Sequence, residues 1–139
     1  MFERIVLAVD GSAYSERAAA AAAEIAERFQ ADVTVIHVQE IPMSWAYDID
    51  PTLTQDGPGA ELVDRVVREL KDRGIAATGD ERVPITGTVA HEIIDAAGST
   101  GASLIVMGTR GLSDWQGLIL GSVAHKVVHL AECPVLVVR

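Results

Sequence analysis

The feature that most constrains this 139-residue chain is an alternation of short, continuous apolar runs with longer segments of helical spacing. Ile5 to Val9 (IVLAV), Val33 to Val38 (VTVIHV), Leu104 to Met107 (LIVM) and Pro134 to Val138 (PVLVV) have strand length and little or no polar face. A strand that is apolar on both sides must be covered on both, as in a parallel sheet held between two helix layers. A weaker, more polar strand is expected over Ala76 to Ile85, and Pro84, which lacks an amide donor, favours a sheet edge there.

The intervening segments read as helices. Ser12 is placed to cap SAYSERAAAAAAEIAERF, and Ala18 to Ala23 would let that helix lie close to a sheet. Leu62, Val63, Val66, Val67 and Leu70 recur at helical spacing, and Gly74 stops that helix. A third helix from about Thr88 presents Val89, Ile93, Ile94 and Ala97, and a fourth begins at Ser122 with Val123, Val127 and Leu130. The stretch 41–59 has prolines, glycines and acids without a sustained period, and reads as a long loop, either a lid or a mobile segment. Trp45 and Tyr47 within it would fold over a ligand or anchor the loop.

Five strands alternating with four helices predict an α/β fold, a three-layer open twisted parallel sheet with helices on both faces. No internal repeat or second domain is visible, so residues 1–139 are expected to form one domain. In such sheets ligands bind beyond the carboxyl ends of the strands, where the strand order reverses. Asp10 and Gly108 each stand at such an end.

Charge narrows the function. A net charge of −9 opposes general binding to nucleic acid or to an anionic membrane, yet leaves room for a local phosphate site built from backbone amides. No run is long enough to span a bilayer, and MFERIVLAVD lacks the features of a secretory leader, so a cytoplasmic location is expected. Cys133 is the single cysteine, which removes intrachain disulfides; a buried thiol is expected. His125 and His129 share a helical spacing but lack a third evident ligand, and no metal site is assigned. His37 and His91 read as structural or exposed, with no nucleophile–base pairing.

The remaining puzzle is GTRGLSDWQGLILGSVAHKVV, with four glycines between Gly108 and Gly121. Glycines after a strand let the chain turn tightly and show successive amides to an anion. Gly121 and Ser122 would open the last helix, whose amides and dipole favour negative charge, and Arg110 could add a cation. No lysine follows Gly121, as a P-loop requires, and VDGSAYS supplies too few glycines for a dinucleotide fingerprint. On spacing alone, a phosphate cradle and an N-capped helix after a slack loop both remain open.

The spacing G-x2-G-x9-G-[ST] from Gly108 to Ser122 resembles the ATP-binding signature of the universal stress protein family. IVLAVDGS, VIHV, LIVMGTRG, GSVAHKVV and CPVLVV resemble family blocks in the same order, over nearly the whole length. The resemblance implies a Rossmann-like sheet of order 3-2-1-4-5, which sets Asp10 and Gly108 at one cleft. It implies that Ala8, Val9, Asp10 and Val38 surround the adenosine end and that Met107 and Gly108 form the floor. Gly111, Gly121, Ser122 and Val123 would meet the phosphates, largely through backbone groups. Arg110 would pair with phosphate or solvate its loop, and Asp10 would hold a ribose hydroxyl or a nucleotide-bound metal.

The expected cofactor is therefore ATP, with or without Mg²⁺, although AMP or cyclic AMP is not separable from it by these residues. The resemblance also implies a homodimer through antiparallel pairing of Pro134 to Val138. The expected role is a stress-response regulator acting on an unknown protein partner. A slow ATP hydrolase and a nucleotide-free interaction module are the alternatives; for hydrolysis, no dedicated base is apparent.

Overall fold

The structure, a computed structural model, describes residues 1–40, 57–84, 87–111 and 120–139. Along them run β1 (Arg4–Ala8), α1 (Ala13–Phe29), β2 (Asp32–Val38), α2 (Pro58–Asp72), β3 (Ala77–Arg82), α3 (Val89–Thr100), β4 (Leu104–Gly108), α4 (Ser122–Leu130) and β5 (Val135–Val138). The strands form one sheet of order β3-β2-β1-β4-β5, with every neighbouring pair parallel. The expected α/β class and strand order hold. Leu7 lies opposite Val35 on one side and Val106 on the other, so the reversal of strand order falls between β1 and β4.

Side-chain alternation divides the core into two. Ile5, Leu7 and Val9 face the layer of α1 and α2 together with Val33, Val35, Leu104 and Val106. Val6, Ile36, Val38, Ile105 and Met107 face α3 and α4 on the opposite side. Ile5, Leu7, Ile36 and Ile105 are among the largest fully buried side chains, and removing each from water contributes about 1.5–3 kcal/mol. Two-sided burial is why these strands read as continuous apolar runs.

Ser12 caps α1 as expected, its Oγ accepting from the Ser15 amide at 3.2 Å. Ala18, Ala22, Ala23 and Ala26 form the buried stripe, and their small side chains let α1 settle low on the sheet. Gly108 shows how low. A Cβ there would stand 2.7 Å from Tyr14 Cβ and 2.9 Å from the Tyr14 carbonyl carbon.

Three expectations need adjustment. α2 starts at Pro58, inside the segment read as loop, because a proline in the first turn gives up no helical hydrogen bond; residues 41–56, with Trp45 and Tyr47, lie outside the described residues. The buried face of α3 is Ala90, Ile93, Ala96 and Ala97, while Val89 and Ile94 flank it half-buried. On α4, Val127 is buried but Leu130 in the last turn is exposed. In both short helices the sheet selects a narrower stripe than apolar spacing alone marks.

The sheet has unlike edges. At the β3 edge, Arg82 bonds Asp80 at 2.9 Å and Asp95 at 2.7 Å, which with nearby Glu92 keep its guanidinium charged. The β5 edge is the half-buried apolar run Val135–Val138. Among the described residues, no helix is long and apolar enough to cross a membrane.

Candidate functional site

Where β1, β2 and β4 end, their carboxyl termini and the first turns of α3 and α4 enclose a cavity of about 200 Å³. Ala8, Val9 and Asp10 line it from β1, and Val38 from β2. Met107 and Gly108 line it from β4, Arg110 and Gly111 from the turn beyond, and Val123 from α4. Gly121 and Ser122 stand just behind, as the N-cap and first residue of α4. The residues that the family resemblance implies thus come from four separate elements that the sheet topology brings to one end.

Backbone bonds fix this end of the sheet. The Val9 amide donates to Ile36 O at 2.9 Å, and the Thr109 amide donates to Val138 O at 2.8 Å. The Gly121 amide then donates to Thr109 O at 2.6 Å, tying the turn after β4 to the start of α4. This bond corrects one expectation: the Gly121 amide is engaged within the protein and does not point outward. The amides that the first turn of α4 leaves without a helical partner are those of Ser122, Val123 and Ala124. Gly121 has φ −65° and ψ 161°, extended backbone open to any residue, so the turn imposes no glycine there.

Asp10 Oδ1 accepts from the Ser12 amide at 2.9 Å, which turns the chain from β1 into the α1 cap while the carboxylate remains on the cavity wall. Arg110 reaches across to α1. Its Nη2 donates to the Tyr14 hydroxyl, and its guanidinium carbon lies 4.8 Å from the centre of the Tyr14 ring. A cation over a ring face is favoured by the ring's quadrupole. Arg110 therefore belongs to a defined contact as well as to the cavity wall, and is more than a solvated loop residue.

Sequence reasoning missed a second pair. His37 Nδ1 lies 2.8 Å from Glu81 Oε1, with side-chain exposures of 17% and 11%. The two residues are direct cross-strand neighbours in the β2–β3 register. His37 also lines the cavity. The first turn of α2 rests on this pair, since a Cβ at Gly59 would come 2.4 Å from His37 Nδ1 and 2.5 Å from Glu81 Oε1. Glu81 Oε2 is buried without a hydrogen-bond partner among the described residues. Nothing in the spacing of VIHV or GDER announces the pairing, because register is a property of two strands together.

The other singled-out residues sit apart. His91 is exposed and bonds Thr88 Oγ1 at the α3 cap. His125 and His129 stack with ring centres 6.3 Å apart on the exposed side of α4. Among the described residues no group of three His, Cys, Asp or Glu side chains is arranged to hold a metal ion. Cys133 is half-buried rather than fully enclosed, and burial pushes its thiol pKa up. Residues 112–119, between the two glycine turns, lie outside the described residues.

Comparison with known proteins places these features. The sequence profile of the Universal stress protein family matches residues 1–139. Universal stress protein YxiE of Bacillus subtilis (strain 168) is 33% identical over 153 aligned positions, covering 100% of both chains. Among solved structures, that of the hypothetical protein MJ0577 superposes with a TM-score of 0.81 at 25% identity, covering 99% of this chain and 96% of that one. A universal stress protein crystallised in complex with cAMP superposes with a TM-score of 0.64 at 27% identity, covering 99% and 97%.

Proposed function

The chain belongs to the universal stress protein family, and on that premise we propose that it binds an adenine nucleotide at the ends of β1 and β4. The preferred ligand is ATP, and the protein acts as a cytoplasmic, homodimeric stress-response regulator rather than a dedicated catalyst. The observation that carries this reading is the Gly121–Thr109 bond, which sets a helix N-terminus beside the turn after β4, at the rim of the cavity. The apolar side chains of Val9, Val38 and Met107 suit a base and sugar, and the α4 first turn suits phosphate. The related structure holding cAMP supports the adenine class. Mg²⁺, if it accompanies ATP, would take phosphate oxygens and water, with Asp10 and Glu40 as the carboxylates lining the cavity.

Titration calorimetry with ATP, with and without Mg²⁺, tests the site. Gly121→Val is compatible with the local backbone but adds a branched side chain at a buried position between the turns. It should abolish measurable binding; wild-type affinity in that variant would remove the phosphate assignment. Mass spectrometry of small molecules released from the purified protein should show an adenine nucleotide. Dimerisation through Pro134–Val138 predicts a two-chain species in sedimentation at micromolar concentration, and a monomer there would refute it.

A further inference from the structure

We propose that Tyr14 is a positioning residue that holds the Arg110 guanidinium at the cavity, so that α1 sets how strongly the site distinguishes tri-, di- and monophosphates. The proposal rests on the nucleotide reading above. It starts from Gly108, where a side chain would collide with the Tyr14 backbone; its absence lets the first turn of α1 lie directly on the end of β4. Tyr14 is thereby fixed beside the turn that carries Arg110. The phenol then holds the guanidinium in two ways, by its ring face and by its hydroxyl. Arg17, one turn further along α1, lies 5.2 Å from the same ring centre, so the ring is flanked by two cations.

The electrostatic setting makes the placement of this charge matter. Asp10 and Glu40 line the same cavity, and Arg110 is the one Lys or Arg side chain lining it among the described residues. In a chain of net charge −9, a polyphosphate entering there meets two carboxylates and a single guanidinium. A long, flexible arginine left to itself spends little time in any one geometry; bonded and stacked on Tyr14, it is pre-oriented. Its effect should therefore grow with each added phosphate and vanish for the bare nucleoside.

The test measures dissociation constants for adenosine, AMP, ADP, ATP and inorganic tripolyphosphate in the wild type, Tyr14→Phe, Tyr14→Leu, Arg110→Gln and the Tyr14→Phe/Arg110→Gln double variant. Tyr14→Phe keeps the ring and loses the hydroxyl, and should weaken ATP roughly 3- to 10-fold, the net worth of one typical intramolecular hydrogen bond. Tyr14→Leu should weaken ATP more, adenosine should be unchanged throughout, and the double variant should match Arg110→Gln alone. Thermal unfolding of Tyr14→Phe at the wild-type temperature separates positioning from folding. Equal losses for adenosine and ATP, or additive losses in the double variant, would overturn the proposal. If no adenine ligand binds the wild type but tripolyphosphate binds in a Tyr14-dependent way, the nucleotide reading fails and the anion-positioning role stands. If neither binds, both fall.

Discussion

Gly108→Ala separates the two reasons a glycine could end β4. The backbone there is not left-handed, so the substitution acts through space alone. The added methyl would meet Tyr14 Cβ at 2.7 Å, the Tyr14 carbonyl carbon at 2.9 Å and the Ser15 amide nitrogen at 3.2 Å. Two of these three are backbone atoms, so no rotamer change relieves the collision; α1 itself must lift from β4. Overpacking of this kind costs about 2–3 kcal/mol, at the upper part of the usual range. For a domain of this size that corresponds to a fall of roughly 8–12 °C in melting temperature, or about 1 M in the urea midpoint. Gly98→Ala provides the opposing control. Gly98 is exposed inside α3 with nothing within 4 Å of an added Cβ, and alanine there should raise stability by about 0.5–1 kcal/mol. Both variants are compared by urea unfolding without nucleotide. An unchanged midpoint for Gly108→Ala would show that α1 does not press on β4 and that ligand approach, not packing, calls for the glycine.

Other consequences follow from local geometry. Ser12→Ala removes the α1 cap bond from a buried position and should lower stability by about 1 kcal/mol in the same assay. Gln30 closes α1 at φ 53° and ψ 44°, a left-handed conformation, so Gln30→Gly should stabilise by roughly 1 kcal/mol; a loss would mean the glutamine side chain does more than end the helix. Cys133 has its thiol pKa raised by burial, so the reactive thiolate is scarcer than for a free thiol at pH 8. Alkylation by iodoacetamide should be slower than that of a small free thiol there, with the gap narrowing as pH rises through the raised pKa. A reaction as fast as the reference at pH 8 would contradict it.

How much of this was legible in the residues depends on how far apart the interacting groups lie. The central strands β1, β2 and β4 are visible because burial on both faces leaves few polar positions, and β1 and β4 deliver Asp10 and Gly108 to one end through topology alone. The cap at Ser12 is local and equally visible. The contacts that shape the site are of another kind. His37 meets Glu81 through the β2–β3 register, and Arg110 meets Tyr14 across 96 positions of sequence because one helix sits low. Residue spacing carries neither the register nor the height of a helix above its sheet. The same limit explains Gly121: its place at a helix start is written in the sequence, whereas the carbonyl that captures its amide is not.

The unequal flanks of the sheet carry a consequence for self-association. At one rim, a newcomer strand would have to strip water from Asp80, Glu81 and Arg82, whose charges are already locked in partnerships. The opposite rim offers the short greasy ribbon Val135–Val138. Among the described residues, the pairing proposed above through Val135–Val138 would use the apolar rim of each copy and leave a charged β3 rim facing outward on either side. Such a pairing would close at two chains instead of running on as a filament.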